Sequence, residues 1–227
     1  MTTDIHIIEK LQKFSIMECL TKDEFEFIAG KVKLKTATKH DYLYKTGEVS
    51  SEIFFVLEGV VKIVALSQDK REVIKMMHHA GSILIEQSLT GEDIRRNGAV
   101  VMSSKVVYLT LESSYVIDLI KSNYKFSLCL IIFLGRKLYY SEQRLESLAL
   151  SDARTRILDF LKSNVEKYGI KVGSEVLLKH DFTQQDIADF TGTSRQTVTT
   201  VLNDLKKSNK ILSKRSSILI RDIACLN

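Results

Sequence analysis

Apolar positions follow two different rhythms along this chain. Between about residues 33 and 111, short runs rich in Val, Ile, Phe and Tyr alternate with turn residues: Asp41–Lys45, Ile53–Leu57, Val60–Leu66, Val73–Met77 and Val106–Leu111. Glycines punctuate them at 47, 59, 81, 91 and 98. Short strands with glycine corners predict a β-sandwich or barrel. On either side the period lengthens to three or four residues. Residues 5–31 predict helix, with Thr21 and Glu24 spaced as a capping box ahead of Phe25, Ile28 and Val32. From Ser113 to about Leu150 the chain again reads as helix. There Ile131, Leu134 or Gly135, Leu138, Ser141 or Glu142, Leu145 and Leu148 form a seam of about three heptads with a small or polar middle. One face of this helix is expected to cover the β domain. The other is expected to meet a twin in a parallel homodimer, with Ile131, Leu134, Leu138 and Leu145 at the interface.

Beyond Asp152, a candidate helix cap, Ile157, Leu158, Leu161 and Val165 make one apolar stripe. The richest stretch follows, Thr183–Leu205. Thr183 with Asp186 has capping-box spacing, Ile187 and Ala188 supply a buried side, and Gly192 falls where a helix must end and the chain turn sharply. Ser194 then caps a second helix, with Val198, Val201, Leu202 and Leu205 on one face. The opposite face carries Arg195, Gln196, Thr199, Thr200, Asn203 and Lys206, all able to donate or accept hydrogen bonds and none acidic. That is the layout of a helix-turn-helix, whose second helix enters the major groove. Lys210–Asp222 reads as strand, turn, strand, a wing with Lys214 and Arg215 at its tip for phosphate. The DNA-contacting set is therefore expected among Thr183, Gln184, Ser194, Arg195, Gln196, Thr197, Thr199, Thr200, Lys206, Lys214 and Arg215. A symmetric dimer would supply the paired recognition helices that a two-fold DNA site needs.

Charge agrees. Residues 152–227 hold 13 Lys and Arg against 9 Asp and Glu, most of the chain's net +5, which favours a polyanion partner. The three cysteines, Cys19, Cys129 and Cys225, lie far apart with no metal or cluster spacing, and are expected as buried thiols in a reducing compartment. His78-His79 would point to opposite faces of a strand, so they are not expected to share a metal. There is no nucleophile–base pattern and no phosphate-binding glycine loop, so no catalysis is expected. The N-terminus lacks a basic segment leading into an apolar one, and the longest apolar run, Leu128–Leu134, is too short to span a bilayer. The expectation is a cytoplasmic protein with no membrane association.

The predicted order is an α+β chain in three parts: a β-roll over 1–112, a long dimerisation helix over 113–150, and a winged helix-turn-helix over 151–227. This resembles the cyclic AMP receptor protein / FNR superfamily of bacterial transcription regulators. The resemblance rests most on Ser194-Arg195-Gln196-Thr197-Val198, and is supported in the roll by Gly47-Glu48 and Phe54–Lys62. It implies a homodimeric, double-stranded DNA-binding regulator, with a cyclic-nucleotide-binding-like jelly roll sensing a signal and RNA polymerase as a further partner. Arg195 matches the first base-reading arginine of the cyclic AMP receptor protein, while Gln196 replaces a glutamate and Thr200 a second arginine, so the half-site should differ. Within the cassette that holds a cyclic nucleotide in relatives, Glu86 and Arg96 remain in place for a ribose hydroxyl and a phosphate. Ile85 stands where the family has glycine, Asn97 replaces a hydroxyl donor, and Ser141-Glu142 stands at the adenine-contacting pair. Glu142 brings a carboxylate toward an anionic ligand, so cyclic AMP is not the expected effector. No cofactor is marked with certainty, and an effector at this site would be a small molecule of another kind. The alternative is a regulatory module whose C-terminal domain contacts protein instead of DNA; the basic recognition face and wing oppose it.

Overall fold

Strand β3 explains why the middle of the chain reads as apolar without clear alternation. The computed structural model describes residues 5–66, 71–85, 88–89, 91 and 94–226. β3 (Glu52–Glu58) is covered on both faces. Phe54 and Val56 enter one cluster with Tyr44, Val61, Leu84, Val101 and Tyr108, while Ile53 and Phe55 enter another with Phe14, Ile28, Leu109, Leu111 and Phe126. Successive side chains of a strand alternate in direction, so a strand buried on both sides must be apolar throughout.

The chain divides into two units, residues 1–69 with 75–140, and residues 70–74 with 141–227. In the first, α1 (Ile5–Leu11), a 3-10 turn (Ser15–Cys19) and α2 (Lys22–Ala29) precede the strands. β1 (Lys33–Thr38), β8 (Lys105–Glu112), β3 and β6 (Ile83–Leu84) form one antiparallel sheet in that order. β2 (Tyr42–Tyr44), β7 (Gly98–Val101), β4 (Val60–Leu66) and β5 (Glu72–His79) form the other. The turn between β3 and β4 requires Gly59: its φ is +85°, and a Cβ there would lie 2.5 Å from the Lys105 carbonyl.

Two predicted helices are interrupted. The N-terminal one breaks at the 3-10 turn. The other breaks at Asn123, between α3 (Ser113–Ser122) and α4 (Tyr124–Leu150). Asn123 accepts the Phe126 N–H at 2.8 Å, capping α4, and its amide donates to the Glu24 carboxylate at 2.7 Å. The first turns of α4 bury Phe126 and Leu130 against β3, β8 and the N-terminal helices.

The expectation of free thiols at Cys19 and Cys129 is overturned: the two form a disulfide between the 3-10 turn and α4, with Cα atoms 6.6 Å apart. Their separation of 110 residues hid the pairing, which only the packing of α4 on the N-terminal segment brings about. The side chain of Cys225 lies outside the described ones. His78 is buried and His79 half-exposed, as alternation on β5 demands.

In the second unit, α5 (Ala153–Tyr168), α6 (Gln184–Thr191) and α7 (Arg195–Lys207) pack with a four-stranded sheet in the order β11 (Ile211–Lys214), β12 (Ser217–Ile220), β10 (Glu175–Lys179), β9 (Ile170–Val172). Neither β9 nor β10 was expected from the sequence. Phe160 meets Phe182 and Phe190, each ring centroid at 5.1 Å. His180 stacks on Phe182 at 3.9 Å, and burial holds its imidazole below the ordinary histidine range.

Removing the cross-link by Cys19→Ser is expected to cost the first unit about 2–4 kcal/mol by freeing a long loop in the unfolded chain. Denaturant titration should show a lowered midpoint that no longer responds to a thiol reductant, whereas the midpoint of the unaltered protein should fall on reduction.

Candidate nucleic-acid interface

Two caps and one glycine set the angle between α6 and α7. The Thr183 hydroxyl accepts from the Asp186 N–H at 3.1 Å, and the Asp186 carboxylate accepts from the Thr183 N–H at 2.8 Å, completing the capping box. α6 ends on Gly192, whose φ of 63° and ψ of 41° place it in the left-handed region. A Cβ at that position would lie 3.2 Å from Leu148 Cδ2, so the turn is tight as well as left-handed. Ser194 then caps α7, its hydroxyl accepting from the Thr197 N–H at 3.0 Å and lying 2.8 Å from the Thr197 hydroxyl. Ile187, Ala188, Val198, Val201, Leu202 and Leu205 are buried, as the apolar stripes predict.

The C-terminal carbonyls of α6 are held from behind by two arginines that sequence reasoning missed. Arg144, near the end of α4, donates to the Phe190 carbonyl at 2.7 Å and lies over the Phe190 ring at 4.0 Å. Arg156, in α5, donates to the carbonyls of Thr191 at 2.7 Å, Gly192 at 3.3 Å and Ser151 at 2.5 Å. A helix C-terminus carries unpaired carbonyls and partial negative charge, so guanidinium groups satisfy both at once. α5 itself starts on Asp152, which accepts the Thr155 N–H at 2.7 Å; that bond holds its carboxyl below the usual range.

With the frame fixed, Arg195, Gln196, Thr200 and Asn203 stand exposed along α7. Ser194 and Thr197 are occupied in the cap. Thr199 is half-buried, its hydroxyl 2.7 Å from Gln184 Oε1 and 2.9 Å from the Arg195 carbonyl, so it joins α7 to the start of α6. Thr183, Gln184, Lys206, Lys214 and Arg215 gather around a cleft of about 320 Å³ between the start of α6, the end of α7 and the wing. Lys214 pairs with Ser217 across the hairpin, which leaves Arg215 and Ser216 as its tip. The cleft is a concave basic surface with the N-terminus of α6 at its edge, suited to a phosphate chain.

The remaining predicted residues are placed as follows. Ile131, Leu138 and Leu145, seven apart on α4, are exposed at 66%, 61% and 68%, an apolar row facing solvent in the single chain. Leu134 departs from the expected seam: it is partly buried and packs on the cluster that includes Phe126 and Leu130, because a residue four after Leu130 stands on the same face of the helix, toward the roll. Arg96 is exposed and Asn97 half-buried in the first unit, Ser141 and Glu142 are exposed in the second, and Glu86 lies outside the described residues. Ile85 is buried in the core beside Ile83 and Phe55. Among the described residues no cluster of His, Cys, Asp and Glu could hold a metal ion, and no helix is long and apolar enough to cross a membrane.

Arg95, next to the cassette arginine, was also missed. It is 3% exposed, donates to the Glu52 carbonyl at 2.6 Å and lies over the Tyr44 ring at 3.9 Å. Burial lowers its pKa, with Tyr44 and Glu52 opposing.

Roll, long helix and winged helix-turn-helix define a DNA-binding regulatory type of protein, and comparison with known proteins agrees. The family model for the cyclic nucleotide-binding domain matches residues 34–123, and that for the Crp-like helix-turn-helix domain matches 155–227. The global nitrogen regulator of Nostoc sp. is 23% identical over 188 residues, spanning 82% of this chain and 84% of its own. The CRP-like cAMP-activated global transcriptional regulator of Mycobacterium tuberculosis is 25% identical over 180 residues, covering 79% and 80%. The structure of FixK2 from Bradyrhizobium japonicum superposes with a TM-score of 0.77 at 19% identity, covering 86% of this chain and 95% of that one. The chain belongs to the cyclic AMP receptor protein / FNR superfamily of transcription regulators.

Arg156→Ala is expected to leave three carbonyls short of a charged donor and to destabilise the second unit by about 2 kcal/mol. Thermal unfolding followed by circular dichroism should show the drop, and Arg156→Lys should recover part of it.

Proposed function

We propose that this protein is a homodimeric, sequence-specific transcription regulator that reads a two-fold operator with α7 and is switched by a signal other than cyclic AMP. That it is a DNA-binding regulator of this superfamily follows from its relatives and its Crp-like helix-turn-helix. The single observation that carries the finer reading is the outer face of α7: Arg195 and Gln196 are exposed at the start of the helix, where side chains reach base edges most directly, and a basic cleft flanks them. Arg195 grips guanine with two donors and Gln196 prefers adenine. Thr183, Gln184, Lys206, Lys214 and Arg215 hold phosphates. DNA as partner puts the protein in the cytoplasm, and RNA polymerase at the regulated promoter is the further partner.

The exposed row Ile131, Leu138, Leu145 supports dimerisation through α4: an apolar stripe at heptad spacing is stable in water only when a second stripe covers it. Against cyclic AMP stand Ile85, buried in the core where the nucleotide cassette of relatives has a glycine, and the carboxylate of Glu142. Arg96 and Asn97, in the first unit, are the described residues we assign to a different small molecule. Such a ligand switches the protein only by binding one arrangement of the dimer more tightly than another.

Leu138→Glu puts two like charges face to face across the stripe and should convert the dimer to monomer in sedimentation analysis. An unchanged mass would place the interface elsewhere.

Arg195→Ala should cost about 1–3 kcal/mol on the selected operator and relax the preference at one base pair. Lys214→Ala should weaken selected and scrambled duplexes alike, and should lower the slope of log affinity against log salt by about one per subunit. Equal losses on both duplexes for Arg195→Ala would make it a phosphate anchor.

A further inference from the structure

Two adjacent threonines lie on the outer side of α7, and both hydroxyl protons are already committed within the protein. Thr200 is exposed, and its Oγ1 donates to the Gln196 carbonyl one turn back at 3.1 Å. Thr199 is half-buried, its one proton shared between the Arg195 carbonyl and Gln184 Oε1. A hydroxyl has a single hydrogen to give. When a helical threonine bonds back to the carbonyl four residues earlier, its oxygen is drawn against the backbone and its methyl group is left as the outward feature. In the major groove the base edges offer hydrogen-bonding atoms almost everywhere, and one apolar feature, the C5 methyl of thymine.

We infer that Thr200 is a specificity-determining residue for thymine: its methyl group packs on the C5 methyl of one thymine in each half-site. This rests on the DNA-binding reading above and adds a contact of a different kind. Arg195 and Gln196 are exposed one turn or so toward the start of the helix, and among the described residues their side chains make no hydrogen bond or ion pair, so they are available to read by hydrogen bonding. Thr200 reads by apolar contact, and Thr199 is a positioning residue that fixes α7 against Gln184. The operator half-site therefore combines a base pair read through Arg195 with a thymine one helical turn further along α7.

The test compares thymine with deoxyuridine, which differs only in lacking the C5 methyl. Operator sites are selected from random DNA with the full chain, and each thymine of the selected duplex is then replaced in turn. One methyl contact corresponds to about a fourfold change in affinity. At one thymine of each half-site, deoxyuridine should lower the affinity of the unaltered protein by about that factor. Thr200→Ser keeps the hydroxyl and its back-bond but loses the methyl, and should bind the thymine and deoxyuridine duplexes alike at that position. Thr200→Val keeps an outward methyl and should retain the discrimination. At every other thymine the three proteins should respond identically. If no thymine shows a penalty that Thr200→Ser removes, the inference is overturned while the DNA-binding reading stands. If the selection enriches no sequence at all, the DNA-binding reading itself fails.

Discussion

The recognition surface depends on what holds the C-terminal end of α6. A short helix of eight residues has nearly as many unpaired carbonyls at its end as paired ones along its length, and it would fray there if left to water. Here Arg144 and Arg156 reach those carbonyls from two other helices, and Gly192 turns the chain immediately beyond. Because only two residues separate that glycine from the start of α7, the direction of α7 is inherited from the direction of α6. The orientation of Arg195 and Gln196 is thus set in part by two guanidinium groups that belong to other helices.

The legible parts of the chain were those whose cause is local. Caps at Thr21, Asp152, Thr183 and Ser194 stand where their spacing placed them, because a cap is a bond between residues three apart. The wing and the strands of the roll were equally local, being alternating or apolar runs bounded by turn residues. The illegible parts were long-range. The Cys19–Cys129 bridge closes across 110 residues, and Arg156 meets carbonyls 35 and 36 residues away; neither distance leaves a pattern in a window of sequence. β9 and β10 were hidden because all their residues except Leu178 are exposed or half-buried, so no apolar alternation marks them.

Leu134 shows a third kind of difference, in which an apolar helix position was assigned to the wrong face. Two faces were expected on α4, one for the roll and one for a twin, but Leu134 was counted with the second, whereas it packs with Phe126 and Leu130 on the first and leaves Ile131, Leu138 and Leu145 outward. A helix apolar on two sides shows no single periodic maximum, and only the position of the neighbouring sheet separates its faces. Arg96 was named from the family resemblance, and the fold leaves it at the surface while burying its neighbour Arg95, which no local pattern marked.

The polar residues that build α7 and those that face outward from it are almost entirely different sets. Ser194 and Thr197 make the cap, Thr199 the link to α6, and the buried aliphatic residues the packing. Arg195, Gln196 and Asn203 take part in none of these, and Thr200 has only a bond to its own helix. Substitution at exposed positions without structural partners changes stability little. The lineage can therefore exchange the residues proposed to choose its operator while the domain goes on folding, so that a duplicated copy could acquire a new set of promoters without first acquiring a new scaffold.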